Sequence, residues 1–188
     1  MSISETISSW KQKAEIDYFA LFVPLWLAFD AWFKDKYAQK TDRENLEALK
    51  MDEINNKTYK RMKNLLHGTD SMSETFKDYL VQLNQALLAT PIEYEKDPGK
   101  ILSFNTALVD KDTKTYENLI KGKRQHNKIK LLDDVYITNE IQKIYKAYIE
   151  ILYQIRCVFF HGKLKPNKEN ERIIKYLYLT LKEITNEI

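Results

Sequence analysis

The chain reads as an all-α bundle, and three observations lead there. Only 4 glycines and 4 prolines occur in 188 residues, too few for the tight turns on which an all-β protein depends. Apolar residues recur at steps of three and four over several long stretches, the period of a helix with one buried face. The 44% hydrophobic content, with 12 Tyr, 8 Phe and 3 Trp, excludes a disordered chain and suffices for the core of one domain. A single domain over 1–188 is therefore expected.

The elements follow in order. Residues 16–37 are apolar on nearly every side, which predicts a central helix that Pro24 kinks or divides. Thr41 and Glu44 have the spacing of a capping box and open a second helix. A polar helix or turn follows through 57–66 and ends at Gly68. Phe76, Leu80, Leu83 and Leu87 fall on one face of the next helix, which must stop before Pro91.

The signals weaken over 91–134. Asp97-Pro98-Gly99 predicts a turn, 101–108 and 116–120 suit short helices, and the basic stretch 121–130 suits a loop. With too few apolar residues for a core of its own, this region is expected to be an insertion against the bundle. Two helices close the chain. Ile141, Ile144, Tyr148, Ile151, Ile155 and Val158 mark the core stripe of the first, and Ile173, Leu177, Leu181 and Ile184 that of the second. The short turn 162–166 between them predicts antiparallel packing.

The net charge is +3, so attraction to nucleic acid would have to be local. Lys121, Lys123, Arg124, Lys128 and Lys130 form one cluster without an acid; Lys57, Lys60, Arg61 and Lys63 form another. Either suits phosphate groups as well as plain solvated surface. The single cysteine, Cys157, allows no internal disulfide and fits a reducing cytoplasm. No basic, then apolar, leader opens the chain, and the apolar run 18–29 is too short to span a bilayer. These features predict a cytoplasmic protein with no membrane partner.

Arg156 and His161 are the residues best suited to chemistry. A guanidinium keeps its charge and offers several donors to a phosphate; an imidazole exchanges protons near neutrality. Five residues along a helix, they stand about 140° apart around its axis, on the flanks of the core stripe. The opposite face carries Ile149, Tyr153, Cys157 and Phe160, so this helix is apolar on two sides and calls for a second cover from this chain or a partner subunit. Asp30, between Phe29 and Trp32, is the candidate carboxylate to pair with Arg156. His67 suits a helix end and His126 a solvated loop. No His, Cys, Asp and Glu residues have metal-ligand spacing, and neither a Gly-rich phosphate loop nor a G-x-S-x-G turn occurs. No cofactor and no metal are expected.

The R-x4-H segment at the end of a long helix, continued as Phe160-His161-Gly162-Lys163, resembles the HEPN superfamily. The aromatic segment from Leu25 to Phe33 is similar to one near the N-terminus of a larger, uncharacterised branch of it. With the closing helix pair these segments cover about a third of the chain. The resemblance implies a small helical homodimer acting as a metal-independent endoribonuclease on single-stranded RNA, in a toxin or phage-defence role, with an antitoxin or regulatory protein as a further partner. His161 would take part in proton transfer and Arg156 would stabilise charge at phosphorus, leaving 2′,3′-cyclic phosphate and 5′-hydroxyl ends. Lys163 and Lys165, like Lys123 and Arg124, would hold RNA phosphates. The position after the arginine is often Asn or Asp in active members and here is Cys157. Where some members carry a modifiable tyrosine, this chain has Lys163. The alternative is a non-catalytic HEPN-like module that binds a partner protein, RNA or nucleotide through the same groove.

Overall fold

The computed structural model describes residues 3–94, 97–109 and 113–188. Among them are seven helices: α1 (Ile3–Ala14), α2 (Tyr18–Tyr37), α3 (Asp42–Met51), α4 (Lys57–His67), α5 (Ser71–Ala89), α6 (Ile141–Phe160) and α7 (Lys168–Thr185). α7 packs against α2, α4 and α5, while α6 packs against α3 and α4. Tyr148, in the first half of α6, hydrogen-bonds Thr180 in the second half of α7 at 3.1 Å, so this pair is antiparallel as the short turn requires.

Local chemistry accounts for the helix boundaries. Thr41 and Glu44 form the complete capping box at the start of α3. Asp17, Asn56, Asp70 and Asn167 cap α2, α4, α5 and α7 through side-chain oxygens that accept backbone N–H groups. The core stripes of α6 and α7 are buried along their length, as are Phe76, Leu80, Leu83 and Leu87 of α5.

Two expectations need correction. Pro24 does not divide α2, which runs through it as one helix, and the helix is not covered all round. Phe22, Trp26, Phe29 and Phe33 are buried, whereas Ala20, Pro24, Leu27 and Ala31, on the opposite side, are exposed with Leu21 and Ala28. Apolar composition alone does not show how many faces a helix buries; the ring of aromatics on one stripe does.

The fold is also not purely helical. β1 (Glu93–Tyr94) pairs antiparallel with β2 (Asp97–Ile101), and β3 (Ile120–Lys121), β4 (Lys128–Leu132) and β5 (Val135–Thr138) form an antiparallel sheet in the order β3-β5-β4. Asp97 to Gly99 thus lie within a strand, 101–108 and 116–120 are not helices, and the basic stretch runs partly through β3 and β4. Residues 95–96 and 110–112 of this insertion lie outside the described residues. The strands have a physical cause in Lys128-Ile-Lys-Leu, which alternates at period two, and in the β-branched and aromatic run Val135-Tyr-Ile-Thr. Asp133, at φ 46°, turns the chain between them. Lys143 of α6 ties the insertion to the helices through Glu117 at 2.7 Å.

Candidate functional site

α6 presents a second stripe opposite its core face. Lys143, Lys146, Glu150, Tyr153, Cys157 and His161 follow at steps of three or four, so they line one side of the helix and its end. α3 supplies one wall above this stripe with Arg43, Glu47 and Lys50; the insertion supplies the other with Tyr94, Lys100 and Glu117. Together they bound a groove of about 990 Å³ whose lining also includes Arg156. The structure therefore brings Arg156, Cys157 and His161 to one concave surface.

His161 is held there by the way α6 ends. It is the C-cap, and Gly162 follows at φ 69°. Gly162 N–H donates to Phe159 O and Lys163 N–H to Val158 O, each at 2.9 Å, the two bonds of a Schellman closure. A left-handed residue at that position turns the chain away at once, so the exposed imidazole sits on the last turn of a rigid helix.

Arg156 has an unusual environment. Its guanidinium carbon lies 5.8 Å from the Trp26 ring centre and 5.2 Å from that of Phe160. Nη1 is 3.9 Å from the Cys157 sulfur. Nε is buried and has no acceptor among the described residues, and the same holds for Nε1 of Trp26. Asp30, the carboxylate expected to pair with Arg156, instead pairs with Lys34 at 2.7 Å. An arginine backed by rings, with no carboxylate among the described residues, keeps its charge and donors for an outside group.

The middle of the groove holds a buried ionic cluster. Glu150 accepts from Arg43 Nη1 at 3.0 Å, from Gln154 at 2.8 Å, and from Lys50; Lys50 and Glu150 are 5% and 6% exposed. Burial works to raise the Glu150 carboxyl, but the Lys50 charge and the hydrogen bonds from Arg43, Lys50 and Gln154 prevail and bring it to about 2. Arg43 also stacks its guanidinium 5.8 Å from the Tyr153 ring centre, while burial pushes the Tyr153 phenol up.

The remaining expected residues lie elsewhere. Lys123 and Arg124 are exposed between β3 and β4, and Lys123 pairs with Asp134 at 3.0 Å. Lys163 lines a separate cavity of about 350 Å³, and Lys165 is exposed on the turn after α6. Neither pair lines the main groove. The second apolar face of α6 is covered by this chain itself: Ile149 is fully buried and Cys157 is 8% exposed, whereas Phe160 remains 43% exposed.

Sequence reasoning missed Lys146, Tyr153 and Glu150 as a groove stripe, although their helical spacing with His161 was readable. It missed Arg43 and Lys100 because only tertiary packing brings α3 and β2 over α6. Among the described residues no group of three His, Cys, Asp or Glu side chains is placed to hold a metal ion, and no helix is long and apolar enough to cross a membrane. No protein-family profile, curated protein or solved structure matches the chain.

Proposed function

We propose that the protein is a metal-independent endoribonuclease of HEPN type that cleaves single-stranded RNA in the groove over α6. One observation carries this reading: Arg156, without a carboxylate partner among the described residues, shares the groove with the exposed His161. In the reaction His161 accepts the proton of a ribose 2′-OH as that oxygen attacks the adjacent phosphorus. Arg156 stabilises the charge that builds on the phosphoryl oxygens. The P–O5′ bond breaks, the leaving oxygen takes up a proton, and the ends are a 2′,3′-cyclic phosphate and a 5′-hydroxyl. The 2′-OH requirement confines cleavage to RNA, and unpaired segments are accessible to it.

A cytoplasmic toxin or phage-defence effector, with an antitoxin or regulatory partner, fits that activity. The homodimer belongs to the same proposal, but its support moves from α6 to α2. The exposed Ala20, Leu21, Pro24, Leu27, Ala28 and Ala31 form an apolar strip that an isologous contact would cover. One observation favours the non-catalytic module: the position after Arg156 is a buried thiol, where a polar group would help orient substrate. Incubating the protein with a long unstructured RNA in EDTA separates the two. The ribonuclease cleaves and His161→Ala does not; the binding module leaves the RNA intact.

A further inference from the structure

Six cations and three carboxylates line the groove, but their commitments differ. Glu47 pairs with Arg43 at 2.7 Å and with Lys50 at 3.2 Å. Glu150 binds Arg43 and Lys50, and Glu117 binds Lys143 at 2.7 Å. Every acid is thus matched, and three cations have no carboxylate among the described residues: Lys100, Lys146 and Arg156. Among the described residues Lys100 touches only rings, with Nζ 4.0 Å from the Tyr94 centre and 4.9 Å from that of Tyr116. Lys146 has neither an ion pair nor a hydrogen bond to a described residue.

These three charges are spread out. Lys146 and Arg156 are ten positions apart on α6, or about 15 Å along the helix axis. Lys100 reaches the groove from β2 on the opposite wall. Cations so placed suit separate phosphates better than a single one. A distance of about 15 Å corresponds to roughly four phosphate steps at the 3.4 Å axial spacing of a duplex strand, and to fewer in a more extended single strand.

The rings restrict the ligand further. Phe160, beside Arg156, is 43% exposed, and Tyr116, beside Lys100, is 49% exposed. Each is a flat apolar surface next to a cation with no carboxylate among the described residues, the combination that takes an unpaired base together with its phosphate. A duplex keeps its bases stacked internally and offers these rings nothing.

We infer that the groove is a multi-subsite tract for single-stranded nucleic acid, in which Lys100, Lys146 and Arg156 contact separate phosphates of one strand and the β-insertion forms one wall. The inference rests on the reading of the groove as an RNA site and extends it: the insertion is part of the binding surface, and the ligand is a strand of several nucleotides. Tyr116 and Phe160 do not line the groove itself but lie against Lys100 and Arg156, where they offer stacking surfaces beside it, and the matched Arg43–Glu150–Lys50 cluster forms a fixed wall.

The test is binding of a fluorescent, fully 2′-O-methylated octanucleotide, which cannot be cleaved, measured by anisotropy from 50 to 200 mM salt. Three single-strand phosphate contacts predict a log–log slope of about −2, or a roughly twentyfold loss of affinity over that range. Lys100→Gln and Lys146→Gln should each bring the slope to about −1.4, while Lys123→Gln/Arg124→Gln, away from the groove, should leave it unchanged. A slope shallower than −1, or one that responds to the Lys123/Arg124 change and not to Lys146→Gln, overturns the tract. So does equal affinity for a duplex or for a nucleoside triphosphate. If the predicted slopes appear but cleavable RNA stays intact, the ribonuclease reading fails and the tract stands. If RNA is cleaved but the slope ignores Lys100 and Lys146, the tract alone fails.

Discussion

Replacing Glu150 with Gln keeps the size of the side chain and removes its charge, leaving Lys50 buried beside a neutral group. The carboxyl sits at about 2 against an ordinary 4.5. A folded-state value below the unfolded one means that the ionised form stabilises the fold. This contribution is fully present above about pH 4.5 and is lost as pH falls to about 2. The difference corresponds to about 3 kcal/mol. For a domain of this size that amounts to roughly 6–12 °C in Tm. Urea unfolding from pH 7 down to pH 2 reads it directly. The wild type should lose about 3 kcal/mol along the way through this one group, and Glu150→Gln should start lower by that amount and converge on it in acid. Because a buried pair contributes little against an apolar replacement of the same size, Lys50→Met/Glu150→Leu should fall within about 1 kcal/mol of wild type or above it. A cost below about 1 kcal/mol for Glu150→Gln at pH 7, or a variant with the full acid sensitivity of the wild type, would refute the reasoning.

Gly162→Ala meets no atom within 4 Å of the added carbon, so its cost is the left-handed backbone alone, about 1 kcal/mol. Thermal melting should show a drop of about 2–4 °C, and an unchanged Tm would mean the Schellman turn does not hold the end of α6. Leu27→Asp places a charge at the middle of the exposed α2 strip. Sedimentation should find the wild type as a dimer and this variant as a folded monomer; a dimer that survives the change puts the contact elsewhere.

Much of the helical frame was legible in the sequence, for identifiable reasons. α6 and α7 declare themselves because each sustains one apolar stripe over many turns with nothing to interrupt it. The start of α3 is legible because the capping bonds of Thr41 and Glu44 run between these two residues, three apart, so spacing alone determines the cap. The insertion was not legible at the same level. Its strands are two to five residues long, too short for the period-two signal to stand out, although Lys128 to Leu131 and Val135 to Thr138 do carry it. α2 misleads in the opposite direction: its composition suggests burial all round, and only packing shows that the side with Leu27 and Ala31 is open.

The candidate site divides along the same line. Arg156 and His161 lie on one element, so their common placement follows from helix geometry. The pairing of Arg156 with Asp30 does not follow, because Lys34, one turn beyond Asp30 on α2, reaches that carboxylate first. Arg43 and Lys100 come from elements distant in sequence, and no local spacing encodes their approach to α6. Of the apolar residues read on the second side of α6, Ile149 and Cys157 are covered from within the chain, while Tyr153 lines the groove and Phe160 stays exposed.

The most direct test compares wild type, Arg156→Ala and His161→Ala on one unstructured RNA in EDTA, with circular dichroism melts of each and mapping of the product ends. If Arg156 and His161 carry the chemistry, the wild type leaves 2′,3′-cyclic phosphate and 5′-hydroxyl ends, and both variants stay folded while cleavage disappears. Intact RNA with folded wild type, or equal cleavage by all three proteins, would contradict that assignment.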